Sequence, residues 1–233
     1  MNTVEPVNAL VFTPHPDDAE FGVAGTVVNW IREGKDVVYV VCTNGDKGTS
    51  DPNLDPAELA KTREEEQLAA ADMLGVREVV FLRHPDQSLE DTPEFRKELV
   101  RLIRTYRPNT VVTADPYRRY LWHRDHRIVG RVMLDAVFPY ARDVHAYPDL
   151  YQEGLEPYKV REVLLWGSPD TNYWLDITDT FDIKMAALAC HKSQIDPARV
   201  KEMAERMRER YRLMSADSGY ELAEGVHREE LGR

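Results

Sequence analysis

The chain is poor in everything that would mark it as secreted, membrane-bound or nucleic-acid-binding. Only two cysteines, Cys42 and Cys190, occur among 233 residues, and they form no paired motif. That excludes a disulfide framework and makes a reducing, cytoplasmic setting the expectation. No apolar run approaches the roughly 20 residues of a membrane helix, and Met1–Pro6 lacks the charged-then-apolar pattern of a signal peptide. Positive charge is also short: 30 Lys and Arg stand against 41 Asp and Glu, a net charge of −11. Phosphate backbones need concentrated Lys and Arg, so no nucleic-acid partner is expected. A G-x-G-x-x-G turn is missing after the first apolar run, which removes the dinucleotide fingerprint. With 42% hydrophobic and 30% charged residues, one soluble domain over residues 1–233 accounts for the chain.

What is present is an alternation of short apolar runs and helical stretches. Runs at 8–12, 37–42, 79–82, 110–113 and 162–166 read as strands. Stretches 56–73, 93–106, 127–138, 180–190 and 197–213 carry helical spacing or composition. Such alternation implies βαβ crossovers and an α/β fold, a three-layer, Rossmann-like and mostly parallel sheet flanked by helices. Leu59, Glu66, Leu68, Ala69, Met73 and Leu74 are read as the buried face of the 56–73 helix. The region 139–161, with three prolines and four tyrosines, is the expected irregular excursion.

Two polar clusters follow apolar runs. His15-Pro16-Asp17-Asp18 comes two residues after Ala9–Phe12, and its loop leads through Gly22, Gly25 and Thr26 into an apolar helical stretch. His123-Arg124-Asp125-His126 follows Val111–Asp115 within a dozen residues. Both loops open at the carboxyl edge of a sheet, where open α/β folds bind ligands. Either cluster alone has an ordinary explanation: Asp17 or Asp18 capping the next helix, or solvated histidines in a mixed-charge loop. Together they supply the two imidazoles and one carboxylate of a hydrolytic zinc site with an open position for water. His15, Asp18 and His126 fill that count and leave Asp17 beside the metal. Fe(II) also suits this donor set. Amide hydrolysis needs a nucleophile at neutral pH, a proton carrier and an oxyanion donor; zinc, Asp17 and His123 match those three needs. His84 reads as a loop residue and His227 as a weak site candidate. Trp122 is undecided between core and sugar contact. The basic residues Arg118, Arg119, Arg124, Arg127 and Arg131 read either as a solvated face or as a rim for an anionic substituent.

In H-P-D-D at 15–18, T-N-G-D-K-G-T at 43–49, Arg63 with Glu66, Asp86, H-x-D-H at 123–126 and H-K-S-Q at 191–194, the chain resembles the LmbE/PIG-L zinc-dependent de-N-acetylases over nearly its whole length. Ala24, where the family often has glycine, and Arg124, where proline is more usual, depart from the pattern. The resemblance implies zinc on His15, Asp18 and His126, with Asp17 as general base and His123 stabilising the oxyanion. It also implies Asp125 orienting an imidazole, and Arg63, Asp86 and His191 contacting substrate. The implied substrate is an N-acetylglucosamine-containing small molecule, as for diacetylchitobiose deacetylases, and the implied assembly is a homo-oligomer, a trimer or hexamer. Two rivals remain: a hydrolase of the same scaffold acting on another amide, such as a thiol-cofactor precursor or antibiotic intermediate, and a non-catalytic sugar- or nucleotide-binding domain.

Overall fold

A computed structural model describes residues 4–232; Met1–Thr3, on which part of the N-terminal reading rests, lie outside them. Strands β1 (Ala9–Thr13), β2 (Val37–Thr43), β3 (Glu78–His84), β4 (Thr110–Ala114) and β5 (Glu162–Trp166) are the five apolar runs of the sequence. They pair in parallel in the order β3-β2-β1-β4-β5. Side chains alternate between faces along each strand. Leu10 and Phe12 therefore join one core layer with Val38, Val40 and Val111, while Ala9 and Val11 join the other with Val37, Tyr39 and Val112. Both faces are covered, so the strands read as continuous apolar runs.

Helices α1 (Asp18–Arg32), α2 (Pro56–Leu74), α3 (Pro93–Tyr106) and α4 (Arg124–Val137) connect the parallel strands. Caps fix two of their starts: Asp55 accepts from the Ala57 N–H and Thr92 from the Phe95 N–H, each followed by proline in the first turn. A short α5 (Pro148–Gln152) and a 3₁₀ turn at Tyr140–Arg142 lie inside the 139–161 excursion. Two strands were not foreseen. β6 (Tyr173–Asp176) and β7 (Ala223–Glu230) add to the sheet antiparallel after β5, in the order β5-β7-β6. Their segments, Tyr-Trp-Leu-Asp and Ala-Glu-Gly-Val-His-Arg-Glu-Glu, are too short or too polar to register as apolar runs. Helices α6 (Phe181–Leu188) and α7 (Val200–Met214) lie between them in the chain.

Two further readings are corrected. Gly22 and Gly25 belong to α1, not to a loop, and the loop after β1 shrinks to a few residues. A Cβ on Gly22 would stand 2.8 Å from the Trp166 ring, and one on Gly25 would stand 2.5 Å from Ile177; close packing is their use. In α2, Leu68 and Met73 are exposed, while the buried stripe is Leu59, Arg63, Gln67, Ala70, Ala71 and Leu74. Hydrophobicity alone mis-phased that helix because its inner face carries two polar residues.

Chain-end strand β7 holds α1 in place. Glu224 accepts from the Gly25 and Thr26 N–H groups at 3.1 and 2.9 Å and from the Thr26 hydroxyl at 2.5 Å. Lys184 donates to Glu224 at 2.7 Å and to the Phe21 carbonyl at 2.9 Å, with both charged side chains essentially inaccessible. Burial opposes the ammonium, but Glu224 and Tyr211 outweigh it and raise the lysine above 10.5. The pair's contribution is therefore whole below that value and is lost as pH rises through the higher folded-state value. Lys184→Met leaves Glu224 charged and buried, and urea unfolding should show a loss of about 3–5 kcal/mol. A loss under about 1 kcal/mol, the range of exposed pairs, would mean water reaches Glu224.

Candidate metal and active site

The strand order reverses at β1 and β4: the chain winds outward through β2 and β3 on one side and β5 on the other. The crevice beyond such a reversal is the ligand site of open α/β sheets. H-P-D-D follows β1 and H-R-D-H follows β4, so two motifs about a hundred residues apart meet there.

Asp18 sits at their junction. Its Oδ2 lies 3.1 Å from His15 Nδ1 and 3.1 Å from His126 Nε2, and all three residues are about 8% exposed. The other nitrogen of His15, Nε2, faces Asp86 Oδ1 at 3.0 Å and Asp125 Oδ2 at 3.3 Å. With a metal bound, a proton kept there would leave the Nδ1 lone pair for the ion, the arrangement by which outer carboxylates orient a metal-binding imidazole. Burial opposes a charged His15, but Asp125, Asp18 and Asp86 override it and push the group up to about 11. Asp18 is held well below the carboxylate range by His126 and His15, despite its burial. The pocket is built to hold a positive charge between these donors.

Two of the donor separations suit a metal. Bonds of about 2.0–2.1 Å around tetrahedral Zn2+ place neighbouring donor atoms about 3.3 Å apart, close to the two 3.1 Å separations at Asp18. Among the described residues the sets whose donor atoms all lie within 4.8 Å of one another are His15, His123 and His126, and His15, Asp86, His123 and Asp125; both include His123 and neither includes Asp18. The described residues thus contain a His/Asp group able to hold a metal ion.

Asp17 does not cap α1. It occupies the N-cap position with no side-chain cap bond and a left-handed φ of 92°, a conformation that Asp and Asn tolerate better than most residues. Its backbone N–H donates to Gln67 Oε1 at 3.0 Å, and its Oδ2 accepts from Arg63 at 3.1 Å. Burial and the adjacent Asp18 raise Asp17 to about 7, against the pull of Arg63, His191 and His15.

Arg63 differs from its expected role. Buried and bonded also to the Pro16 and Gly45 carbonyls at 2.6 and 3.0 Å, it spends its donors on the loop and on Asp17, leaving little for a substrate. His191 is corrected more sharply. It is 0% exposed and its Nε2 faces Glu20 at 3.3 Å, away from any open surface. The rest of its motif is structural: Ser193 bonds Glu66, and Gln194 reaches the Gly48 carbonyl. Asp86 lies between His15 and His123, 4.0 Å from the latter's Nε2. Asp125, fully buried, accepts from the Gln87 N–H at 2.8 Å while facing His15.

His123 caps α4: its Nδ1 accepts from the Asp125 N–H at 3.2 Å. The neutral ring then carries its proton on Nε2, and burial together with His15 lowers its pKa. His227 is held by the Asp170 carbonyl and Glu229, and His84 by Glu98. Trp122 donates to the Asp115 carbonyl at 3.0 Å and packs edge-on against His126 at 4.4 Å.

Glu20 and Gln67 escaped the sequence reading. Both are 0% exposed; the Gln67 amide donates to Glu20 at 2.9 Å while its oxygen fixes the Asp17 backbone. The available signal was spacing, since Gln67 lies one turn beyond Arg63 on the same helix face.

Comparison with known proteins agrees with this geometry. The chain is 36% identical to the diacetylchitobiose deacetylase of Thermococcus kodakarensis over 227 residues, covering 95% of this chain and 84% of that protein. Its fold superposes on the N,N'-diacetylchitobiose deacetylase of Pyrococcus horikoshii with a TM-score of 0.90 and 30% identity, covering 96% of this chain and 84% of that one. GalB, the 4-carboxy-2-hydroxymuconate hydratase of Pseudomonas putida, shares the fold at a TM-score of 0.81 and 21% identity, covering 97% of this chain and 98% of that one. Residues 10–137 match the family model described as PIG-L, GlcNAc-PI de-N-acetylase. Sequence, fold and the meeting of the two motifs thus agree that this chain belongs to the PIG-L family of de-N-acetylases.

Proposed function

We propose that the protein is a metal-dependent hydrolase that removes an N-acetyl group from an N-acetylglucosamine-containing small molecule. The observation that carries this reading is Asp18 Oδ2 at 3.1 Å from both His15 Nδ1 and His126 Nε2, with Asp17 beside it engaged by Arg63. In this reading His15, Asp18 and His126 hold Zn2+, Fe(II) being the rival for the same donors. The metal, when bound, supplies an activated water at neutral pH and polarises the amide carbonyl.

Asp17 takes the proton of the attacking water and delivers it to the departing amine. One group can serve both steps when its pKa lies near the working pH, and burial places Asp17 there. Arg63 aims the Asp17 carboxylate, and Gln67 holds its backbone. Asp125 and Asp86 keep the His15 proton on Nε2. His123 presents its Nε2–H to the developing oxyanion, and Asp86, between the two histidines, is left to meet a sugar hydroxyl with its second oxygen.

The test is metal analysis of the purified protein together with amine release from a panel of N-acetylglucosamine conjugates. A metal-free protein that releases no amine from any of them would return the binding-domain reading. His123→Ala should lower kcat by roughly 10²–10³-fold, the usual effect of removing one oxyanion donor, with metal content unchanged. Loss of the metal would instead make His123 a ligand, and a change confined to KM would make it a binding group.

The proposal also carries a single catalytic domain, a cytoplasmic setting and a trimeric or hexameric assembly. Among the described residues no helix is long and apolar enough to cross a membrane, and Cys42 and Cys190 are free thiols. Sedimentation of the purified protein tests the assembly.

A further inference from the structure

A cavity of about 680 Å³ begins at the candidate metal ligands Asp18 and His126 and runs outward between the β4–α4 and β5–β6 connections and α7. Its size falls within the roughly 300–1,000 Å³ of small-molecule sites. Asp17, His123, Asp86 and Arg63 are not among its lining residues, so it extends away from the groups assigned to proton transfer and oxyanion binding. A hydrolase that needed room for acetyl and one sugar alone would have little use for it.

The walls are apolar and aromatic: Trp122, Trp166, Met203 and Met207. Methionine adapts to irregular ligands, and tryptophan offers a flat face. All but one of the Asp, Glu, Lys and Arg side chains that line it are basic. Arg118, Arg206 and Arg210 line the cavity, and Asp18 is the single acidic lining residue. Arg206 is engaged by Glu202 at 3.6 Å. Arg118 lies over the Trp122 ring at 4.2 Å, and among the described residues no carboxylate comes within salt-bridge reach of Arg118 or Arg210, although Arg208 and Arg212, on either side of Arg210 in the chain, are both paired. In a chain with a net charge of −11, unpaired arginines at the mouth of an apolar cavity make a local field for anions.

The geometry points to a substrate subsite in which an apolar arm bearing a carboxylate or phosphate runs from the metal ligands to Arg118 and Arg210. The inference rests on the deacetylase reading and deepens it by giving the substrate an anionic arm. Two parts of a substrate could supply that arm, the group on the anomeric oxygen or the N-acyl chain. The arginine–anion recognition is the same in both.

The experiment uses two matched pairs. One is 4-carboxyphenyl against 4-carbamoylphenyl N-acetyl-β-glucosaminide; the other is N-succinyl against N-succinamoyl glucosamine. The carboxylate member of one pair should show kcat/KM higher by roughly 5–10-fold, the scale of a partly exposed, charge-assisted contact, and that pair identifies the arm. In the Arg118→Gln/Arg210→Gln double variant the ratio within that pair should fall to about one. A ratio of one for both pairs in the unaltered enzyme, or a preference that survives in the double variant, overturns the subsite while amine release itself leaves the deacetylase reading standing. Calorimetric binding of the same compounds to Asp17→Asn protein separates the converse case. If nothing is hydrolysed by the unaltered enzyme, yet the carboxylate member binds more tightly and loses that advantage when both arginines are also replaced, the subsite stands and the deacetylase reading falls.

Discussion

Asp17→Asn should keep its metal and its fold while kcat falls by roughly 10²–10⁴-fold, the contribution of a positioned general base. The substitution isolates the proton chemistry. Asparagine tolerates the left-handed φ of 92° that this position demands, its amide oxygen can still accept from Arg63, and the Gln67 bond goes to the backbone. Shape is kept and only basicity is removed. Stoichiometric metal by elemental analysis, with KM little changed, is the expected result. Parallel loss of metal would convert Asp17 into a ligand and require a different base.

His126→Ala should remove metal and activity together. The His126 Nδ1 is buried without a hydrogen-bond partner, and the ring is otherwise packed against Trp122 and Trp166; its one polar engagement is Nε2 beside Asp18. Deleting it takes one of three donors and opens a gap next to a carboxylate that burial penalises. Asp125→Asn gives the graded comparison. It leaves all three donors in place but weakens the hold on His15 Nε2, and metal affinity should drop by roughly 10–100-fold, as for other groups that support a ligand from behind. A fully metallated, active His126→Ala protein would sink the assigned donor set, and an Asp125→Asn protein with unchanged affinity would show that Asp86 alone suffices to orient His15.

The sequence by itself determined the five parallel strands of the sheet and the two motifs. Five apolar, β-branched runs separated by helical stretches admit few arrangements other than a doubly covered sheet, and a polar cluster after such a run lies at its carboxyl edge by connectivity. Hence H-P-D-D and H-R-D-H were legible as one site, and family membership with them. Tertiary structure decided what local pattern cannot encode. β7 is too polar to announce itself and becomes a strand only because β5 and β6 offer it partners. Arg63 and His191 carry chemistry suited to gripping a sugar, but the depth at which packing sets them turns the first toward Asp17 and the second toward Glu20. Gln67 looks like any surface amide until α2 rotates it onto the Asp17 loop. Residue type sets what a side chain can do, whereas burial and neighbours drawn from distant parts of the chain set which of those things it does.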